Sequence, residues 1–275
     1  MAADIEFEIK PPGKFSFNAG ELWQYRELIY FFTLRDIKIK YKQTFFGVLW
    51  AILQPFLLMV LFTLFFGKGL HVPSDNIPYP VFVYSGLLLW NIFSSGLTNA
   101  SNSMVNNSNI IKKIYFPRLI IPLSAVLVSF FDFLMALIIY FGILIYYHHP
   151  VNWDIILYLP LSVIITVLST FGLGSFVAAL NVKYRDFRYV IPFFIQALLF
   201  LTPVIYPVSI IKYKWLQTIL SLNPLAGAID LLHSTVTNSQ VNWSLVTASI
   251  IISILIVLTG LFYFRKTEYY FADFA

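Results

Sequence analysis

Six apolar runs of membrane-crossing length restrict the fold of this chain more than any other feature. A helix needs about 20 apolar residues to cross the hydrocarbon core of a bilayer, where only helices and closed barrels satisfy their own backbone. The runs lie near residues 44–67, 79–99, 119–147, 155–180, 190–206 and 244–264. The fifth is crowded by Pro192, Pro203 and Pro207, so it is expected to be kinked or packed against protein rather than lipid. With 59% hydrophobic and only 11% charged residues, the chain has too little polar surface to cover a soluble globule. The expected fold is an all-α integral membrane protein of six transmembrane helices.

Charge fixes the expected orientation. With both termini inside, the cytoplasmic side holds Lys10, Lys14, Arg26, Arg35, Lys38, Lys40, Lys42, Lys112, Lys113, Arg118, Lys183, Arg185, Arg188, Arg265 and Lys266. The outside holds only Lys68, Lys212 and Lys214. That bias supports an even number of crossings and an inward N-terminus. It also accounts for the net charge of +5, so nothing here calls for nucleic acid. The first forty residues carry Asp4, Glu6, Glu8, Glu21 and Glu27 without an apolar core, unlike a cleavable signal peptide, and the mature chain is expected to start near Met1.

Residues 1–19, with Pro11, Pro12 and Gly13, read as an extended segment. Residues 20–43 place Leu22, Tyr25, Ile29, Phe32, Ile37 and Tyr41 at helical spacing against Glu21, Arg26, Glu27, Arg35 and Lys38. This amphipathic helix is too charged to span and is expected at the cytoplasmic interface, as an anchor or as a moving part. The membrane domain then covers 44–275. Two basic loops, IIKKIYFPRLIIP at 110–122 and NVKYRDFRYVIP at 181–192, interleave cations with aromatic and aliphatic residues. Each is either an ordinary positive-inside loop or a projection that engages a soluble partner. Residues 207–243 are too apolar for a solvated loop and too broken, at Asn223 and Pro224, to span. They suggest a re-entrant or interfacial helical hairpin on the outer side, serving as a lid or as a surface anchor.

Reactive chemistry is sparse. There is no cysteine, and no phosphate-binding loop of the G-x-x-x-x-G-K-[ST] type. His71, His148, His149 and His233 are all expected in outer loops, leaving no intramembrane base and no metal site. Asp132 is the one ionisable residue deep in an expected span, with no cation anticipated at its depth. It is either a proton-coupling group or an interior hydrogen-bonded acid. Phe56, Phe62, Phe65 and Phe66 in the first span, and Phe193, Phe194, Phe200 and Tyr206 in the fifth, either pack against lipid and protein or stack on sugar rings.

The runs RDIKIKYKQTFFGVLWAILQP, IIKKIYFPRLIIP, NVKYRDFRYVIPFFIQALLFLTPVIYP, LNPLAGAID and YYFADFA, in this order, are similar to the permease subunits of bacterial ABC-type exporters of polysaccharides and polyol phosphates. Within that family the likeness is greatest to O-antigen exporter permeases. The resemblance implies a homodimer in the inner membrane, docked on two copies of a cytoplasmic ATPase that binds ATP and Mg, and passing a lipid-linked polysaccharide through a central channel. This chain would carry no catalytic residue, cofactor or metal of its own. The resemblance makes 20–43 an interface or gate helix and 207–243 a periplasmic gate hairpin. Lys112, Lys113, Ile114, Tyr115, Phe116, Pro117 and Arg118 become one ATPase-coupling segment, and Lys183, Tyr184, Arg185 and Asp186 a second. The aromatics of the first and fifth spans become candidate channel belts. Arg35, Lys38 and Lys40 are expected to attract the lipid-linked pyrophosphate. Replacing Phe116 by Asp is expected to uncouple hydrolysis from export without disturbing the fold. Capsule and teichoic acid exporter permeases share this pattern, and an ion-coupled transporter using Asp132 is the rival class.

Overall fold

The computed structural model describes residues 19–42, 47–75, 77–211, 213–237, 240–268 and 271. The expected lead-in before Ala19, the expected start of the first span at Thr44, Lys212 and most of the terminal YYFADFA lie outside the described residues. Among the described residues all regular structure is helical. A short α1 (Ala19–Gln24) breaks at Tyr25 before α2 (Arg26–Lys42), so the expected single amphipathic helix is two pieces. The next helix, α3 (Leu49–Phe62), runs on as a π-helical stretch over Thr63–Gly69. Then come α4 (Tyr79–Asn106), the single turn α5 (Ser108–Ile111), α6 (Ile120–Tyr146), α7 (Ile155–Lys183) and α8 (Phe187–Leu201). The chain closes with α9 (Lys214–Ser221), α10 (Pro224–Thr237) and α11 (Trp243–Thr267).

Among the described residues five helices are long and apolar enough to cross a membrane: Leu49–Gly69, α4, α6, α7 and α11. The fifth expected span is the exception. Its helix begins three residues early, at Phe187, passes through Pro192 and stops at Leu201. Thr202 stands before Pro203, whose ring excludes the helical conformation from the preceding residue, and Thr202 is indeed extended at φ −103°, ψ 138°. Fifteen residues of helix rise only about 22 Å, short of a hydrocarbon core of roughly 30 Å. Where α8 stops, Asn223 Nδ2, in the turn between α9 and α10, donates to Thr202 Oγ1 at 2.8 Å, while Asn223 Oδ1 accepts from the Leu225 N–H at 3.0 Å. The broken helix and the hairpin thus meet at one asparagine. From there α10 runs buried between α4, α7 and α11.

The bundle is built around α7. In lipid there is no hydrophobic gain in pairing two apolar helices, so close contact through small residues takes over. Gly172 and Gly260 meet where α7 crosses α11, Gly96 faces Thr170, and Gly174 faces Ala100. Ser169 and Ser253 share a buried hydrogen bond of 2.8 Å across the α7–α11 contact. On the outside, Leu134, Ile138, Phe141 and Ile145 of α6, and Ile251, Leu255, Leu258 and Phe262 of α11, form exposed aliphatic and aromatic stripes of the kind that face hydrocarbon.

His233 does not lie in an outer loop. It is buried in α10, its ring 4.1 Å from that of Phe82 and its Nε2 3.1 Å from the Phe82 carbonyl. Burial pushes its pKa down to about 4, which keeps it neutral. Asp230, one turn earlier on α10, is pushed up from 3.8 to about 6, by burial first and then by the Asp75 charge.

Two outcomes follow from this packing. A Cβ on Gly260 would stand 2.1 Å from the Gly172 carbonyl oxygen, whereas one on Gly142 would meet nothing within 4 Å. Gly260→Ala should therefore cost about 1–3 kcal/mol or more by overpacking. It is expected to lower the monodisperse fraction surviving heating in detergent, and Gly142→Ala should leave that fraction equal or higher. Asp230 binds its proton more tightly folded than unfolded, so its contribution to stability is fully present below about pH 4 and declines as pH rises to about 6. Thermal melts across that range should show Asp230→Asn flattening the decline and exceeding the parent at neutral pH.

Candidate functional site

One end of the bundle gathers most of the charged side chains of the described residues. Asn181, near the end of α7, donates through Nδ2 to the Ser101 carbonyl at 2.9 Å and to Asn102 Oδ1 at 3.2 Å. This buried amide aligns the ends of α4 and α7, so the two basic segments that follow them emerge side by side. Arg118 of the first segment donates to the Glu268 carbonyl just beyond α11 and lies 5.9 Å from the centre of the Phe271 ring. Phe271 in turn packs on Phe264 with ring centres 5.0 Å apart. Glu268 and Phe271 are thereby tied to the same basic end.

Within the first segment, Lys112, Lys113, Ile114 and Tyr115 are exposed while Phe116 and Pro117 are buried. Ile114 and Tyr115 are each 63% exposed. Phe116 is 4% exposed and packs on Phe32 of α2 with ring centres 5.7 Å apart. The expectation that Phe116→Asp would leave the fold intact is therefore corrected, because it would bury a carboxylate in an apolar contact. In the second segment Lys183, Tyr184, Arg185 and Asp186 are all exposed.

Helix α2 does more than lie across this end. It packs along α6, from Phe116 just before that helix to Asp132 in its middle. Lys40 Nζ pairs with Asp132 Oδ2, and the Tyr41 hydroxyl donates to Asp132 Oδ1. The anticipated lack of a cation at the depth of Asp132 is overturned: α2 climbs far enough along α6 to bring one. Burial, and then the Asp132 carboxylate, push the Tyr41 phenol above its ordinary range, so it stays a donor. Arg35 bonds the neighbouring Asp36 carboxylate at 2.7 Å and Asn107 Oδ1 at 2.8 Å, with its guanidinium 4.6 Å from the Phe32 ring centre. Of the three cations assigned to a lipid pyrophosphate, two are thus already paired, and Lys38 is exposed away from the cleft that Arg35 and Lys40 line.

That cleft, about 780 Å³, opens between α2, α4 and the first half of α6. Its lining includes Asn99, Asn102 and Asn106 of α4, whose helix continues to Asn106, past the expected end of the second span at residue 99. The helical spacing of Thr98, Asn102 and Asn106 was the available signal. The aromatics fall elsewhere. Phe56 and Phe65 of the first span, and Phe193, Phe194 and Phe200 of α8, are exposed, while Phe62, Phe66 and Tyr206 are half-buried. Among the described residues no group of three His, Cys, Asp or Glu side chains converges for a metal ion.

The family model described as ABC-2 type transporter matches residues 27–237. The O-antigen export system permease protein RfbA of Klebsiella pneumoniae is 30% identical over 262 residues, 94% of this chain and 98% of that protein. RfbA of Myxococcus xanthus is 31% identical over 209 residues, covering 75% and 79% of the two chains. The polysialic acid transport protein KpsM of Escherichia coli is 25% identical over 211 residues, covering 74% and 78%.

The α2–α6 contact makes a measurable difference between two lysines. Lys40→Met leaves Asp132, whose side chain is 13% exposed, without its cation. Asp132 is the more buried partner while Lys40 keeps 38% of its side chain exposed, so losing this cation costs less than breaking a fully buried pair but more than removing a solvated charge. Lys40→Met is expected to lower the melting midpoint in detergent by several degrees, and Lys38→Met to leave it nearly unchanged. Asp132→Asn, which keeps an acceptor for Tyr41, should fall between them.

Proposed function

Because the chain belongs to the ABC-2 type transporter family, we propose that it is the membrane-spanning subunit of an ATP-driven exporter of O-antigen polysaccharide in the bacterial inner membrane. One observation carries this reading furthest. The two segments with exposed cations and exposed aromatic or aliphatic side chains emerge side by side, next to α2 and the C-terminal residues, at the end that the positive-inside rule puts in the cytoplasm. A soluble subunit docked there meets both basic segments, α2 and the residues that follow α11. ATP and Mg belong to that partner, since this chain has no phosphate-binding loop.

On this reading the chain works as a homodimer. The apolar window of the first span is only 11% buried, and α8 exposes Phe193 and Phe194. Two copies apposed across these helices would line a path with aromatic faces suited to the C–H faces of sugars. The sixth crossing is completed by α8, the irregular residues after Thr202 and the re-entrant hairpin of α9 and α10, which together form the outer gate. Both termini then lie inside. The substrate carries a lipid pyrophosphate, which the basic end, Lys38 included, draws toward the membrane surface. Closure of the ATPase pair shifts the population between closed and open channels through the coupling segments and α2. The KpsM relatives favour a capsule polysaccharide as the second reading. Proton coupling through Asp132 is disfavoured by its pairing with Lys40 and Tyr41.

The test is to co-express this chain with its nucleotide-binding subunit, purify by a tag on this chain, and measure ATPase activity in lipid alongside surface polysaccharide in cells. A stoichiometric partner is expected. The double variant Tyr115→Asp, Tyr184→Asp changes only exposed side chains, so it should purify as well as the parent yet lose most export. A chain that purifies alone, or a double variant that exports normally, would count against the assignment.

A further inference from the structure

The half-exposed face of α4 differs from the exposed faces of α6 and α11. Asn91, Thr98, Asn99, Asn102 and Asn106 recur at helical spacing on one side of a helix long enough to span. From Asn91 to Asn106 the stripe runs about 22 Å, most of the thickness of a hydrocarbon core. Where α6 and α11 present aliphatic side chains outward, α4 presents amides. Thr98 turns its hydroxyl onto the Ser94 carbonyl, and Asn102 is bonded to the Thr98 carbonyl and Asn181. Asn91, Asn99 and Asn106 make no side-chain hydrogen bond among the described residues. An amide without a partner in hydrocarbon costs several kcal/mol by roughly the water-to-cyclohexane scale, so this face belongs against water or a polar ligand.

The lower half of the stripe forms one wall of the 780 Å³ cleft under α2, a volume within the usual range for a small-molecule site of about 300–1,000 Å³. The cleft's charges are balanced internally, Arg35 by Asp36 and Lys40 by Asp132, which leaves neutral amides as the free donors and acceptors. Such a lining suits hydroxyl groups rather than an anion, because each amide offers both a donor and an acceptor to a hydroxyl. We propose that the asparagine stripe of α4, beginning in the cleft beneath α2, is a hydrated track that holds the neutral, hydroxyl-rich portion of the exported glycan. This rests on the exporter assignment and names the site on which the sugar chain itself is handled, apart from the aromatic faces and from the lipid headgroup.

The chain has no cysteine, so single substitutions give a clean background for labelling. Asn91→Cys, Asn99→Cys and Asn106→Cys would be treated, in the complete complex with its ATPase in lipid nanodiscs, with a charged methanethiosulfonate reagent. Ile138→Cys on the aliphatic face of α6 and Leu97→Cys in the core serve as controls. All three stripe positions should react and both controls should resist. In cells, Asn91→Leu, Asn99→Leu and Asn106→Leu combined should slow the appearance of surface polysaccharide about tenfold or more, while the triple Ser variant, which keeps polar partners for hydroxyls, stays within about twofold of the parent. Complex assembly and ATPase activity should be unaltered in both. Unreactive Asn99→Cys and Asn91→Cys, or a triple Leu variant that exports at the parental rate, would overturn the proposal. Parental export is measured in the same cells, so a failure of the exporter assignment appears as a parent that exports nothing. A failure of the track appears in a parent that does export.

Discussion

Backbone contact between helices that carry almost no side chain at the crossing is the interaction on which this bundle depends. At Gly172 and Gly260 the two helices approach until a carbonyl oxygen occupies the place a Cβ would take. Gly96 and Gly174 bring α4 nearly as close to the same helix. Because lipid tails solvate leucine as well as another leucine does, dispersion over a close contact and the Ser169–Ser253 hydrogen bond must hold these helices together. Everything at the basic end inherits its position from this contact. Asn181 can bridge to Ser101 and Asn102 only because α7 lies close against α4 from Thr170 opposite Gly96 down to this end.

How far this was legible depends on whether a local rule or a tertiary contact decides the feature. All five long spans of the described residues were visible as apolar runs; α4, α7 and α11 extend past theirs into polar flanks because helix propensity does not stop at the membrane surface, while α6 matches its run to within one residue at each end. The early end of α8 was also written locally, in Thr202 before Pro203. The apolarity of residues 202–206 masked it, since hydropathy counts Val204 and Ile205 toward a span although they are buried in irregular backbone. Pairwise contacts were a different matter. No periodicity reveals that a helix of mixed charge climbs along α6, so the pairing of Lys40 with Asp132 and the burial of Phe116 under Phe32 were invisible. His233 was placed in a loop because its segment is too short to span. Packing by α4, α7 and α11 makes such a segment interior nonetheless.

The paired cations change how the basic end works electrostatically. A cluster of free lysines and arginines would act as a standing anion site, whereas Arg35 and Lys40 are neutralised at contact distance. An incoming pyrophosphate therefore competes with two carboxylates rather than simply adding to an unsatisfied field. Lys38, exposed and away from the cleft, contributes only to long-range attraction, which salt screens over about 10 Å. Attraction to the membrane surface and occupation of the cleft are then separate events governed by different residues.

Helix α2 connects these events because it touches the bundle at both of its ends through different physics. Phe32 is lodged on Phe116, at the root of the segment that displays Ile114 and Tyr115 outward, while Lys40 and Tyr41 hold Asp132 halfway along α6. From Phe32 to Lys40 the chain rises eight residue steps of unbroken helix, about 12 Å, stiff over that length, so a displacement at one contact is delivered to the other. The apolar contact tolerates a small slide at little cost, since dispersion varies gradually with position. The ion pair does not, because a carboxylate separated from its cation in a half-buried site loses most of its stabilisation within a few ångströms. On the proposed function, a push on the coupling segment is thus converted at Asp132 into a choice between two arrangements, paired and unpaired. The cleft lined by the asparagines of α4 lies directly beneath the element that makes that choice.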